Sequence, residues 1–179
     1  NFPDKNPNWN SFYVNPSDNE WKEYSLQRIG EIKKKGFKGI FLDTIDTVDV
    51  YPELKKDFKD YIFYLKRNFP SLIFIINRGF SIIEDIYTCI DGVLFECFST
   101  HYDFNKKRYV RWEGNDRVWT ETVMKRLLEL KKKSNLSIFI LDYAGKDDTE
   151  LIRYSRKRAR KYHLPLYISE IHLDKFFDF

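Results

Sequence analysis

Short apolar segments alternate with longer charged segments along most of the chain. Five of the apolar segments have the length and the β-branched and aromatic content of buried strands. They are Gly39–Asp43, Leu72–Asn77, Gly92–Cys97, Ser137–Asp142 and Leu166–Glu170, with Phe12–Asn15 as a weaker sixth. This alternation predicts strand–helix units arranged around a parallel sheet.

The charged segments carry apolar residues at spacings of three and four, which is typical of helices that bury one face. We predict helices over residues 18–35, 53–68, 117–133 and 147–162. Ser17 is the expected N-cap of the first helix and Gly36 its C-terminal stop. Pro70 ends the second helix just before the next strand.

Parallel strands with helical connections permit an open doubly wound sheet or a β/α barrel. The seven glycines form none of the phosphate-binding loops that would favour the open sheet. A complete barrel typically takes about 250 residues, whereas this chain has 179. We therefore predict one α/β domain over residues 1–179, a (β/α)8 TIM-type barrel that lacks its first two strands. Because the chain opens with Asn1, we expect that a preceding segment has been removed.

Composition excludes several classes of protein. Hydrophobic residues make up 42% and aromatic residues 18%, which excludes disordered and collagen-like chains. The net charge of +4 identifies no partner, and we expect no nucleic-acid ligand. The apolar segments are far shorter than the roughly 20 residues of a membrane span. Cys89 and Cys97 are too few for a disulfide framework, and no Cys/His spacing resembles a metal site.

Acidic or amide residues close every one of the five strong strand candidates. The closing residues are Asp43, Asn77, Glu96, Asp142 and Glu170, and Asp46 follows shortly after the first. The C-terminal ends of the strands form the active site of a β/α barrel. An unpaired carboxylate at the end of a buried strand is costly, which favours a functional reading of the set. The alternative is that these acids cap the following helices or pair with Arg78 and with lysines of the loops.

Period-two alternation places Asp43 and Glu96 on the faces of their strands that would point into a barrel mouth. Two carboxylates at neighbouring strand ends can act on a sugar as nucleophile or base and as general acid. Tyr102, Trp112 and Tyr143 are aromatic candidates for stacking against sugar rings, although most aromatic residues belong to the core.

Two further segments and one cysteine allow weaker predictions. The connection over residues 99–116 is long enough to form the wall of a cleft, and a disordered surface loop is the alternative. The basic stretch Arg153–Lys161 is expected to be the solvated outer face of a helix rather than a nucleic-acid site. Cys97 alternates away from Glu96 and is expected to be a buried thiol that faces the helices.

Four motifs in order resemble those of glycoside hydrolase family 114, the endo-α-1,4-polygalactosaminidase-like barrels. The motifs are GFKGIFLDTID (Gly36–Asp46), INRGF (Ile76–Phe80), DGVLFE (Asp91–Glu96) and LDYA (Leu141–Ala144). Trp9–Trp21 and Pro165–Asp174 also resemble segments of that family, so the resemblance covers nearly the whole chain.

The resemblance implies a secreted or envelope-associated glycosidase that acts without a cofactor on an α-1,4-linked, galactosamine-rich exopolysaccharide. Carried onto this chain, Asp43 and Glu96 are the catalytic pair and Asp46 is a third acid at the site. Asn77, Arg78, Asp142 and Tyr143 lie in the other motifs and become substrate-binding or supporting residues, and we add Glu170 to the substrate-binding set. The alternative function is a polysaccharide-binding barrel without turnover.

Overall fold

The computed structural model describes residues 5–6 and 9–176, and the chain divides into two compact units, residues 1–91 and 92–179. Each unit combines parallel strands with helices. The expected α/β class with parallel strands is therefore confirmed. Closure into a barrel, the two missing strands and a single domain over the whole chain stay predictions.

The first unit contains one pair of parallel strands, connected and flanked by helices. Its elements are β1 (Lys5–Asn6), β2 (Ser11–Phe12), α1 (Asn19–Lys34), β3 (Gly39–Leu42), α2 (Thr47–Val50), a 3₁₀ helix (Pro52–Leu54), α3 (Lys55–Asn68), β4 (Ile73–Asn77) and α4 (Ile83–Ile86). β3 and β4 are parallel, with Leu42 opposite Ile76. Both strands therefore end at the same level, and the residues that follow them emerge side by side.

The weaker strand prediction at the N-terminal end is wrong. Within Phe12–Asn15 only Phe12 belongs to a strand, and that strand pairs antiparallel with β1. Asn15 instead accepts hydrogen bonds from the backbone N–H and the hydroxyl of Ser17, so the chain turns there. The first helix is capped by Asp18, whose carboxylate accepts from the Trp21 N–H, rather than by Ser17.

Helices α1 and α3 bury their apolar faces in the core of the first unit. Ile62 and Leu65 are completely buried, as are Phe74 and Ile76 of β4. The hydroxyl of Tyr61 on α3 bonds to the Ser25 hydroxyl on α1 at 2.7 Å, which satisfies both polar groups within the core. Burial raises the pKa of Tyr61. The spacing of apolar residues thus predicted correctly which helix faces are buried.

The second unit contains three parallel strands, a hairpin and two long helices. Its elements are β5 (Gly92–Glu96), β6 (Thr100–Asp103), β7 (Arg108–Arg111), α5 (Gly114–Lys133), β8 (Ser137–Tyr143), α6 (Thr149–Lys161) and β9 (Leu166–Ser169). β8 lies between β5 and β9 and is parallel to both. Glu96 lies opposite Leu141, and Tyr143 lies opposite Ser169.

The long connection over residues 99–116 is an ordered hairpin. β6 and β7 pair antiparallel, with Tyr102 opposite Tyr109 and His101 opposite Val110. The alternative of a disordered loop is therefore wrong. α5 begins at Gly114, three residues before the predicted start at Arg117. The last residues of the predicted connection are thus the first turn of this helix.

Helices α5 and α6 are joined by an ionic group around Glu121. Its carboxylate accepts from Arg158 at 2.9 Å, from Lys161 at 3.1 Å and from the Tyr162 hydroxyl. Arg158 is only 5% exposed. The basic stretch Arg153–Lys161 does lie on a helix, but the expectation of a wholly solvated face is wrong at Arg158, which packs inward against α5.

Among the described residues, no helix has both the length and the apolar character needed to cross a bilayer.

We expect Glu121 to give the fold a measurable acid sensitivity. Partial burial would raise its pKa, but bonds from Tyr162, Lys161 and Arg158 outweigh burial and lower the pKa from 4.5 to about 2. A lowered pKa in the folded state stabilises the protein above the unfolded-state value, and this contribution disappears as the pH falls from 4.5 towards 2. Glu121→Gln removes this titration, so urea unfolding should show a less stable variant at pH 7 and convergence with the wild type near pH 2.

The control is Glu129→Gln on the same helix, since Glu129 pairs with Lys132 on the exposed surface. This variant should unfold nearly as the wild type does at every pH. Equal pH dependence of Glu121→Gln and wild-type stability would contradict the prediction.

Candidate active site

Asp43 and Asn77 meet at the C-terminal ends of β3 and β4. The register that places Leu42 opposite Ile76 brings the next residue of each strand to the same level. The Asn77 side-chain amide donates to Asp43 Oδ1 at 2.9 Å, and the Thr44 backbone N–H donates to the same oxygen at 2.7 Å. Asn77 is buried while Asp43 is exposed, so a buried amide holds an accessible carboxylate.

Asp46 and Arg78 form a second contact between the same two turns. An Arg78 Nη1 lies 3.7 Å from Asp46 Oδ2, with both side chains partly exposed. The guanidinium also lies over the Phe80 ring at 5.9 Å. Part of the alternative reading therefore applies here, since one acid that follows a strand does pair with Arg78. The four predicted residues of the first unit thus form two pairs, each of which joins the turn after β3 to the turn after β4.

A left-handed backbone follows three of the strand ends. Thr44, Arg78 and Cys97 have φ of 56°, 56° and 58°, and each directly follows the last polar residue of its segment. A side chain in this region costs about 1–2 kcal/mol, and a β-branched residue such as Thr44 is rarely found there. Such strain concentrates where function fixes the backbone, so these turns mark the candidate site independently of its charges.

Glu96 ends β5 and is held by the neighbouring strand β8. The Tyr143 hydroxyl donates to Glu96 Oε1 at 2.6 Å. Tyr143 is fully buried and Glu96 is half-buried. Tyr143 belongs to an apolar group, the Tyr143 cluster, formed by Leu94, Cys97, Tyr102, Tyr109, Leu141, Tyr143 and Ile171. The Tyr143 hydroxyl therefore ties the Glu96 carboxylate to this cluster.

Asp142 lies on the opposite face of β8 from Tyr143. It is fully buried, and its Oδ1 accepts from the backbone N–H of Ser99 at 2.7 Å and of Thr100 at 3.3 Å. Burial raises the pKa of Asp142, and the bonds from these two residues act in the other direction. We expected β8 to end at Asp142, but the strand continues to Tyr143. Asp142 consequently lies on the face of β8 away from the Tyr143 cluster and supports Ser99 and Thr100.

Tyr102 and Trp112 lie on opposite faces of the hairpin. Tyr102 belongs to the Tyr143 cluster and makes an edge contact with Tyr109, with the ring centres 5.1 Å apart. The Trp112 indole N–H donates to the Cys97 carbonyl at 2.6 Å, and its ring stacks on His101 at 3.5 Å. Burial lowers the pKa of His101, against the opposing effects of Asp103 and Asp116. The hairpin thus adds the rings of Tyr102 and Tyr109 to the Tyr143 cluster.

Glu170 and Cys97 differ in how well they match the expectations. Glu170 follows β9 and pairs with Lys175 at 3.4 Å on the partly exposed surface. Cys97 forms no disulfide and is only half-buried, and it packs in the Tyr143 cluster. The expectation that it faces the helices is wrong, because its positive φ ends the strand alternation.

Within the described part of the chain, no three His, Cys, Asp or Glu side chains come together in a way that would hold a metal ion.

The family assignment is decided by a match to the complete chain. The model of glycoside-hydrolase family GH114 matches residues 1–179. The chain belongs to glycoside-hydrolase family GH114. The resemblance seen in the four strand-end motifs is therefore confirmed. A search of curated proteins gave no match.

Solved structures share the fold of this GH114 chain. The glycoside hydrolase domain of PelA from Pseudomonas aeruginosa has a TM-score of 0.83 at 23% identity, and the match covers 96% of this chain and 68% of that one. A variant of the same domain gives 0.83 at 22% identity, over 98% and 70% of the two chains. Ega3 from Aspergillus fumigatus, in complex with galactosamine, gives 0.72 at 13% identity, over 99% and 68%.

Several residues that shape this GH114 site were not singled out from the sequence. Thr44 and Gly79 carry the turn conformations, and Ser99 and Thr100 donate to Asp142. Gly79 was the only one with a visible signal, because a glycine directly after a strand end favours a left-handed turn. The roles of the others depend on contacts between residues far apart in the sequence.

We expect Gly79→Ala to disturb both turns of the first unit. Gly79 has φ of 67°, and an added Cβ would lie 2.6 Å from Cγ2 of Ile45, a core residue between Asp43 and Asp46. Relieving this overlap should cost about 1–3 kcal/mol of unfolding free energy, measured by urea denaturation. Gly30→Ala is the control, since no atom lies within 4 Å of its Cβ and the helix should gain up to about 1 kcal/mol. Wild-type stability of Gly79→Ala would refute the turn argument.

Proposed function

We propose that this GH114 member is a glycosidase that hydrolyses an α-1,4-linked, galactosamine-type exopolysaccharide, with Asp43 and Glu96 as its catalytic carboxylates. No step of this proposal needs a cofactor. A secreted or envelope-associated location stays a prediction, consistent with a substrate too large to enter a cell.

The observation that carries the proposal is the matching arrangement around the two carboxylates. Each stands at the C-terminal end of a parallel strand and directly precedes a left-handed residue. Each also accepts a hydrogen bond from a side chain of the neighbouring strand, Asn77 for Asp43 and Tyr143 for Glu96. Glycoside hydrolysis uses a pair of carboxyl groups in this kind of fixed orientation.

The hydrogen-bond donors favour different roles for the two acids. Asp43 accepts from an amide and from a backbone N–H, and neither group can accept a proton in return. This suits a carboxylate that stays ionised as nucleophile or base. Glu96 is bonded to a tyrosine hydroxyl, which can donate or accept. Glu96 can therefore gain and lose a proton without losing its partner, as a general acid must.

Two further features support an amino-sugar substrate. Galactosamine without its acetyl group carries an ammonium ion, which suits the group formed by Asp43 and Asp46 beside Asn77 and Arg78. Ega3, a structural neighbour, has been solved in complex with galactosamine. Tyr102, Trp112 and Glu170 are proposed as further substrate contacts, since the two aromatic rings suit sugar rings. Tyr143 is buried and is proposed to support Glu96 through its hydroxyl.

Asp43→Asn and Glu96→Gln should each abolish cleavage of a soluble α-1,4-galactosamine oligomer while leaving the melting temperature close to that of the wild type. Cleavage is measured as released reducing ends. An aryl α-galactosaminide with a good leaving group separates the roles, because it needs little protonation. It should restore turnover to Glu96→Gln and not to Asp43→Asn.

Matched controls are Asp49→Asn and Glu53→Gln, which alter exposed acids beyond the first turn and should keep wild-type activity. Retained cleavage by both catalytic-site variants would refute the assignment of the pair. Binding of the oligomer by the wild type without any cleavage would favour the polysaccharide-binding alternative.

A further inference from the structure

The segment that directly follows Glu96, residues 97–99, is held by backbone and side-chain bonds from elsewhere in the second unit. The Cys97 N–H donates to the Leu141 carbonyl at 2.7 Å, and the Trp112 N–H donates to the Ser99 carbonyl at 3.1 Å. The Cys97 carbonyl accepts from the Trp112 indole, and the N–H groups of Ser99 and Thr100 donate to Asp142. These bonds come from β8 and from the residue after β7. Residues 97–99 therefore link β5 to β6 outside either strand, and their shape depends on these contacts.

Arg158 supplies the bond that reaches the segment from the helix layer. Its Nη1 donates to the Phe98 carbonyl at 2.7 Å, and its guanidinium lies 3.9 Å from the centre of the Phe98 ring. Its Nη2 donates to Thr120 and Glu121, and its Nε also donates to Glu121. Because the guanidinium is rigid and planar, these contacts fix the position of Phe98 relative to α5 and α6.

A left-handed residue separates Phe98 from Glu96. Cys97 has φ of 58°, a conformation that persists only where surrounding contacts enforce it. Cys97 is also held by the Leu141 carbonyl, which accepts from its N–H at 2.7 Å, and by the Trp112 indole, which donates to its carbonyl. Release of the Phe98 carbonyl would remove a further support of this left-handed backbone, and the direction of the Glu96 side chain would then be less fixed. The buried Arg158 is thus coupled mechanically to the carboxylate.

We propose that Arg158 is a positioning residue for Glu96, acting through the Phe98 carbonyl and the strained backbone of Cys97. The proposal rests on the proposed catalytic role of Glu96. The ion pair of Arg158 with Glu121 is a separate contact that joins α6 to α5.

Arg158→Lys separates these two contacts. A lysine keeps the positive charge beside Glu121 but lacks the planar fork needed to hold Phe98 and Thr120 at the same time. We expect kcat on the galactosamine oligomer to fall by between about 10-fold and 100-fold, the scale of a displacement near 1 Å in a catalytic group. KM should change little, because the substrate contacts remain.

The matched control is Glu121→Gln, which weakens the α5–α6 ion pair and leaves the bond from Arg158 to Phe98 in place. Its kcat should stay near that of the wild type even where its stability falls. Equal losses of kcat in Glu121→Gln and Arg158→Lys would overturn the proposal, since a general loss of helix packing would then explain both.

A second measurement does not require activity. Cys97 and Cys89 are both half-buried and form no disulfide, so iodoacetamide labelling followed by mass spectrometry reports on each unit separately. Arg158→Lys should speed the labelling of Cys97 and leave that of Cys89 unchanged, because the local segment opens. Unchanged labelling of Cys97 would overturn the proposal whether or not kcat falls.

Two outcomes are kept distinct by this design. An inactive wild type would refute the proposed function, and the labelling of Cys97 would then decide by itself whether Arg158 holds the segment. If Arg158→Lys does not fold, the double variant Arg158→Met, Glu121→Gln removes both charges together and leaves none unpaired in the interior. It should show the same faster labelling of Cys97 relative to Glu121→Gln alone.

Discussion

The arrangement of the site depends on one backbone constraint, the reversal of the chain into the left-handed region directly after a strand. It occurs after Asp43, after Asn77 and after Glu96, and only glycine adopts this conformation without cost. Each reversal stops the alternation of side chains, and the preceding polar group is exposed at Asp43, half-buried at Glu96 and buried at Asn77. The surrounding structure must supply bonds that outweigh this cost, and those bonds come from buried or half-buried side chains.

β8 supplies two such bonds from opposite faces. Tyr143 reaches Glu96 on the face of the Tyr143 cluster, whereas Asp142 accepts from Ser99 and Thr100 on the other face. β8 therefore orients the Glu96 carboxylate through Tyr143. Through Asp142 it holds the chain that follows Glu96. This division follows from the pleat alone, since neighbouring residues of a strand point to opposite faces.

The helix layer contributes as well as covering the sheet. α6 begins at Thr149, is capped by Asp148 through the Leu151 N–H, and carries Arg158 into the interior. A buried guanidinium is tolerated there because a carboxylate, a hydroxyl and a carbonyl accept hydrogen bonds from it. An ion pair of this kind is weak evidence for stability in itself, but its fork geometry fixes three elements relative to one another.

The sequence by itself determined the parallel strands, the helices between them, the family and the polar residues at the strand ends, because hydrophobic periodicity and local motifs are properties of nearby residues. It also placed Arg158 in a helix, yet the tertiary structure alone showed that this arginine is buried rather than solvated. The inward position of Asp142, the left-handed turn at Cys97 and the order within the hairpin were likewise decided by tertiary contacts. Apart from the hairpin, each depends on partners more than ten residues away in the chain, such as Ser99 with Asp142 and Phe98 with Arg158, and periodicity carries no information about such pairs.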